Sequence, residues 1–186
     1  MPTGYLSNPI IFLVNALVGA YIFVLIIRTL LQYSGADSRN PISAFFIKVT
    51  RVPLAALKPI FPTFKGINTA AIVLIVALQM LIGFVMLSGL PGLNIWAIFI
   101  WSMSEFIVNV INVFTYSIFI TVILSWINPG AHNPIIELLH KITEPVLRPC
   151  QRFIPPIGGL DLSPMAALLG LQVLKMLLLP PLRSLM

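Results

Sequence analysis

The sequence predicts an all-α membrane protein: four transmembrane helices in two tandem hairpin repeats of like orientation, each with an amphipathic interfacial helix in its cytoplasmic connection. Three observations carry that expectation. Of 186 residues, 59% are apolar and 9% charged, whereas a typical soluble domain carries about 25% charged residues. So few polar groups cannot cover a folded surface, and the solvent must in part be lipid. The apolar residues gather into four runs, and the second half of the chain repeats the first.

The first span is expected at about residues 10–31. No Lys or Arg precedes it among Met1–Pro9, and the run is too long for a signal-peptide core, so it reads as a retained span. The second is expected at about 69–87. The third lies within Leu93–Ile127, a stretch that as one helix would reach about 52 Å against a hydrocarbon core of about 30 Å. The expectation is therefore a span at about 102–124, led by an interfacial segment Asn94–Trp101 with Trp96 and Trp101 at headgroup depth. A short fifth span in that segment is the alternative. The last span is expected at about 163–179.

Charge sets the orientation. Arg39, Lys48, Arg51, Lys58 and Lys65 lie between spans one and two, and Lys141, Arg148 and Arg152 between spans three and four. The segment between spans two and three has neither Lys nor Arg. The positive-inside rule then places both long connections in the cytoplasm and both termini outside, periplasmic for a bacterial inner membrane. Arg183 alone dissents. The net charge of +6 fits orientation and anionic headgroups, not nucleic acid, because no stacking aromatics are interleaved with the bases in a polar region.

Asn133-Pro134-Ile135 repeats Asn40-Pro41-Ile42, and the same displacement brings Lys48 onto Lys141, Thr50 onto Thr143, Leu54 onto Leu147, Pro62 onto Pro155, Gly66 onto Gly159 and Gln79 onto Gln172. A supersecondary unit used twice is the physical meaning of such a match, with repeats at 1–93 and 94–186. In each unit Asn-Pro-Ile opens a helix with Pro in its first turn. Ile135, Leu138, Leu139, Ile142 and Val146 form an apolar face, opposed by Glu137, His140, Lys141 and Glu144. Ile42, Phe45, Phe46 and Val49 do the same against Ser43, Lys48 and Arg51. Such helices are too short and charged to span and should lie at the interface. Pro53 and Pro145 are expected to end them, and Gly158-Gly159 to let the chain turn back. Ser163-Pro164 fits an N-cap and first turn, with Asp161 close to the positive helix end. Asn68 and Thr69 hold the corresponding place in the first unit.

The stretch Thr143-Glu-Pro-Val-Leu-Arg-Pro-Cys-Gln-Arg-Phe-Ile-Pro-Pro-Ile-Gly-Gly-Leu-Asp-Leu-Ser-Pro closely resembles the signature of the YggT family of membrane proteins. The resemblance runs the length of the chain. It is strongest in the second unit, at Pro145, Leu147, Arg148, Pro149, Arg152, Pro155, Gly158, Gly159, Asp161, Ser163 and Pro164. Gln151-Arg152 stands where the family often has Arg-Arg, and the first unit lacks both the Arg-Pro pair and Gly-Gly-Leu-Asp. The resemblance implies an inner-membrane protein. It also implies links to osmotic-stress tolerance and potassium uptake, proximity to cell-division genes, and, for chloroplast relatives, nucleoid distribution and cytochrome assembly. It carries over no catalytic residue.

Two groups of residues are candidate sites. Arg148, Arg152 and Asp161, with Lys141, Lys48 and Arg51, would form a cytoplasmic docking surface for a protein partner or anionic lipid; the plainer reading is orientation signal and helix capping. Glu105, Asn109 and Asn112 share one face of the third span, where Glu105 is expected to pair with Lys175. Gln79 and Gln172 are expected at matching depths, able to meet across a pseudo-twofold axis. These intramembrane groups would line an ion pathway or, more plainly, act as helix-packing hydrogen bonds. Arg28 is expected to snorkel to the cytoplasmic interface. His132, His140 and Cys150 lack metal-ligand spacing, and no nucleophile triad, carboxylate pair or phosphate loop is apparent. The sequence thus points to a non-enzymatic scaffold or assembly factor without a cofactor. The alternative is a component of potassium transport or osmotic response, which would want a homo-oligomer to build a pore.

Overall fold

The computed structural model describes residues 7–64, 66–87, 94–127, 133–154 and 161–186. They form six helices: α1 (Ser7–Tyr33), α2 (Pro41–Leu57), α3 (Thr69–Leu87), α4 (Ile95–Ile127), α5 (Pro134–Phe153) and α6 (Ser163–Arg183). Four of these, α1, α3, α4 and α6, are long and apolar enough to cross a membrane. They keep large apolar side chains such as Phe12, Leu81, Phe119 and Met176 exposed, as lipid-facing helices do.

Short polar side chains start the helices. The Asn40 side-chain oxygen accepts the Ile42 amide at 3.0 Å, and Asn133 accepts that of Ile135 at the same distance. Asn68 accepts from Ala71 at 3.2 Å and Asn94 from Ala97 at 2.7 Å. Each satisfies one amide that the first turn leaves without a helical partner. Gly35, in the left-handed region at φ 67°, ends α1 and lets the Ala36 amide reach back to the Leu31 carbonyl at 2.9 Å, a turn that a Cβ would strain. Gly66, at φ 82°, does similar service between Phe64 and Ile67, whose backbones exchange hydrogen bonds of 3.0 and 2.9 Å.

Packing follows the repeat. α1 lies on α3 and α4 lies on α6, while α3 of the first unit is also covered by α4 of the second; α6 touches neither α1 nor α3. Ile22, Leu25, Ile26, Leu54, Ala70, Ala71, Ile75 and Val113 form the first core. Ile111, Ile118, Leu147, Ala167 and Leu171 form the second. Leu31 joins Leu138 and Ile142 between the units.

Two expectations are corrected. Asn94–Trp101 is no separate lead-in: from Ile95 it is the first part of the 33-residue α4. Trp101 lies against Gly83 of α3, with its ring 2.8 Å from where a Cβ would be, so helix packing also holds it in place. Nor do Pro53 and Pro145 end their helices. Pro53 lies within α2, and Pro145 and Pro149 within α5. Each interior proline costs about 3 kcal/mol. Beyond them, however, Leu54 and Leu147 are buried in the cores, and burying one such side chain returns about 1.5–3 kcal/mol. The prolines themselves are half-buried or exposed. Lys65, His132, Pro155, Pro156, Gly158 and Gly159 lie outside the described residues.

Candidate functional site

The amphipathic helices α2 and α5 pack against the same end of the bundle. Ile42 and Phe46 of α2 and Ile135, Leu138, Leu139 and Ile142 of α5 share an apolar pocket with Ile27, Leu31, Val113 and Ile120 of α1 and α4. The expected face holds for α5, whose Leu138 and Ile142 are buried. On α2 it is corrected, because Phe45 and Val49 are exposed while Ser43, Thr50 and Leu54 are buried, so α2 turns a face centred on these three residues and Phe46 toward the bundle. Lys48 and Arg51 are exposed on α2.

On α5, Lys141, Arg148 and Arg152 come together. With Glu144, Pro145, Pro149 and the end of α1 at Tyr33 and Ser34 they line an open concavity of about 340 Å³. Because the helix continues through both prolines, Lys141, Arg148 and Arg152 recur at helical spacing on one face. Arg148 pairs loosely with Glu144 at 3.9 Å, both largely exposed, an arrangement that contributes little order. Three cations against one carboxylate leave the concavity net positive. Lys48 and Arg51 do not line it.

Asp161 stands apart from that surface. It accepts the Ser163 amide at 2.9 Å, the Ser163 hydroxyl and the Gln151 side-chain amide at 3.1 Å. Partial burial works against its charge. The hydrogen bonds from Ser163 and Gln151 outweigh that and hold the carboxyl below its usual range. Leu162, not Ser163, occupies the N-cap of α6, and the Asp161 carboxylate supplies the capping acceptor, as well as negative charge at the helix's positive end.

The intramembrane polar groups pair differently from expectation. Glu105 meets Arg183, not Lys175: the Arg183 guanidinium lies 3.5 Å from its carboxylate. Lys175 donates to the side-chain oxygen of Asn112 at 3.4 Å. Both pairs lie on the seam between α4 and α6, one above the other. Asn109 turns back to its own helix and donates to the Glu105 carbonyl at 2.8 Å. Gln79 and Gln172 do not meet. Gln79 is buried and Gln172 is exposed, because α3 is covered by two helices of the bundle whereas the corresponding face of α6 is left open.

Sequence reasoning missed two contacts. Arg28 does not simply reach for the interface; it donates to the Thr50 hydroxyl of α2 at 2.6 Å. Thr50 in turn donates to the Phe46 carbonyl. The repeated threonines gave a signal, since Thr143 makes the corresponding bond to Leu139, but Thr121 stands where an Arg28 equivalent would be. The second is a bond from the Asn40 side-chain amide to the Pro134 carbonyl at 3.0 Å, which ties the two Asn-Pro openings together. Tyr33 and Ser34 also join the basic concavity without a distinguishing motif. Among the described residues, no three His, Cys, Asp or Glu side chains group as metal ligands.

A model of one family, CCB3/YggT, matches the chain twice, at residues 7–89 and again at 100–182. The chain belongs to the CCB3/YggT family. The two matches are displaced by the same interval as the Asn-Pro-Ile repeats, and each spans one long helix, one amphipathic helix and one return helix. Among relatives, an uncharacterized protein of Pseudomonas aeruginosa is 35% identical over 178 residues, covering 94% of this chain and 90% of the relative. The YggT protein of Escherichia coli strain K12 is 29% identical over 169 residues, covering 91% and 88%. A chloroplastic YlmG homolog of Arabidopsis thaliana is 36% identical over 66 residues, covering 36% of this chain and 26% of the relative. No solved structure matches the chain.

Proposed function

We propose that this CCB3/YggT protein is a non-enzymatic scaffold of the bacterial inner membrane, with both termini periplasmic. It presents α2 and α5 at the cytoplasmic interface to dock acidic partners and anionic headgroups. The observation that carries the reading is the concavity of Lys141, Arg148 and Arg152. Its cations converge from one helix face, remain accessible, and have only Glu144 to offset them. Cations at a membrane surface attract anionic headgroups by about 1 kcal/mol each, and guanidinium groups take carboxylates and phosphates bidentately.

The test is a charge reversal. Arg148→Glu with Arg152→Glu is expected to lose anionic phospholipid through purification and to lose crosslinked partners in native membrane, while Glu105→Gln keeps both. Full retention by the double variant would defeat the reading.

A second reading, ion passage tied to potassium or osmotic balance, draws on the seam where Glu105–Arg183 and Asn112–Lys175 follow one another between α4 and α6. It predicts potassium flux in reconstituted vesicles that Glu105→Gln or Asn112→Leu abolishes. An ion pair and an amide contact of this kind also serve as packing bonds, which is why docking is the preferred reading.

A further inference from the structure

The two repeats are alike in sequence and fold but not in what covers them, and the difference is systematic. In the first repeat, α3 is packed by its own α1 and also by α4 of the next repeat. The stripe of α3 beneath α4 includes Gln79, 4% exposed, and Gly83, which meets Trp101 and Ile98. On α4, Phe106 and Val110 pack onto the first core. In the second repeat, α6 packs on its own α4 and α5, and no other described helix covers it. The repeat places Met165, Leu169, Gln172 and Met176 where Ile72, Val76, Gln79 and Gly83 stand. All four are exposed, Leu169 at 66% and Met176 at 71%. The converse holds at the other end. Leu13 and Leu17 of α1 stand where Phe106 and Val110 stand on α4, and both are exposed, Leu17 at 71%.

The chain therefore carries one buried contact, α4 on α3, and the two unmatched halves of the same contact, α1 at one end and α6 at the other. We infer that α1 of a second copy of this chain packs on α6 as α4 packs on α3, giving a head-to-tail assembly. Such a contact is heterologous and closes into a ring when the rotation permits, the dimer being the smallest.

Exposed leucine and methionine alone would carry nothing, since lipid covers them as readily as protein does. Gln172 decides it. It lies near the middle of the 21-residue α6, more than 10 Å from either end at about 1.5 Å per residue. Its short side chain cannot reach an interface from there, and an amide facing hydrocarbon has nothing to bond. Its counterpart Gln79 is enclosed by the neighbouring repeat. A second copy gives Gln172 the same enclosure.

The internal contact sets the register. Gly83 lies between Ile98 and Trp101 of the antiparallel α4, and the repeat carries that placement to Leu17 beside Met165 and Leu13 beside Leu169. The test is disulfide crosslinking of the full chain in native membrane, with Cys150→Ser as background. Leu17→Cys with Met165→Cys is expected to give a covalent dimer on mild oxidation. Its yield should exceed by about tenfold that of a control pair, Leu81→Cys with Met165→Cys, because assembly raises the local concentration of the matched thiols. Neither single variant should crosslink comparably. Equal yields from matched and control pairs would mean that lipid alone covers both faces, and would overturn the inference. A dimer from Leu17→Cys alone would also overturn it, by showing α1 paired with α1. As a readout independent of cysteines, the unsubstituted protein in lipid nanodiscs is expected to have the mass of two or more chains, and a monomer mass would overturn the inference.

Discussion

Asn40 of the first repeat donates its side-chain amide to the carbonyl of Pro134 in the second, 3.0 Å away. The same side chain accepts the Ile42 amide and so caps α2. One residue thereby starts an amphipathic helix and fastens it to its twin. Its repeat counterpart Asn133 caps α5 in the same way but is exposed, whereas Asn40 is buried.

This asymmetry gives a first prediction. Asn133→Ala removes a cap and is expected to cost about 1 kcal/mol. Asn40→Ala removes the cap, the inter-repeat bond and the partner of a carbonyl, and is expected to cost about 2–3 kcal/mol. Asn40→Asp keeps the capping oxygen and loses the donor, so it should fall between them. Thermal unfolding in mild detergent ranks the three.

Gly83 of the first repeat packs against Trp101 of the second. A Cβ on Gly83 would stand 2.8 Å from the indole ring, so Gly83→Ala must displace it and is expected to cost about 1–3 kcal/mol. Trp101→Leu should relieve part of that cost. A double-mutant cycle with no coupling would show that the ring does not lie there.

Arg28 is half-buried, and Thr50 holds it at 2.6 Å. Thr50→Val preserves shape and removes the acceptor, with an expected loss of about 1.5–3 kcal/mol, the range for a hydrogen bond to a charged group. Thr143→Val, at the repeat position with no arginine opposite, should cost less. The difference between these two variants is the measurement.

The Glu105–Arg183 pair is partly exposed at 3.5 Å, so its net contribution is expected to be small. Glu105→Gln should change unfolding stability by less than about 1 kcal/mol, the scale of a single interhelical polar contact in a membrane. A larger loss would assign Glu105 a role beyond this pair.

Asp161 ionises below its ordinary range because Ser163 and Gln151 donate to the carboxylate against the opposing effect of burial. A carboxyl with a depressed folded-state pKa contributes stability that is fully present above the unfolded value, about 3.9, and is lost as pH falls through the lower folded value. The α6 cap should therefore hold through neutral and mildly acidic pH and weaken only below about pH 4. Asp161→Asn should flatten that acid limb. Hydrogen exchange at the first turn of α6 reads it directly.

Much of the architecture was legible because its causes are local. Four long apolar runs and two Asn-Pro starts dictate helix number and entry points, and the face of 135–146 dictates how α5 lies; that of 42–49 misplaces α2, whose Ser43 and Thr50 are buried while Phe45 and Val49 are exposed. Proline was misleading because its cost is local while its compensation is not: Leu54 and Leu147 lie past Pro53 and Pro145, and only the assembled cores show that continuing the helix buries them. The partners of Glu105 and Lys175 were out of reach for a similar reason. Their pairing depends on the sliding register of α6 along α4, which no spacing within either helix encodes. The repeat predicted that Gln79 and Gln172 are equivalent, correctly as sequence, but equivalent positions in a two-unit array have different neighbours.

One further consequence attaches to the length of α4. Its 33 residues make a rod of about 50 Å at 1.5 Å per residue, in a chain whose other three long helices have 19 to 27. Against a hydrocarbon layer of about 30 Å a rod of that length either leans or extends past the layer, and a thicker layer relieves the mismatch. Since α3, α5 and α6 all rest on it, a change in acyl-chain length that alters the tilt of α4 is expected to carry α5 and its outward basic face with it.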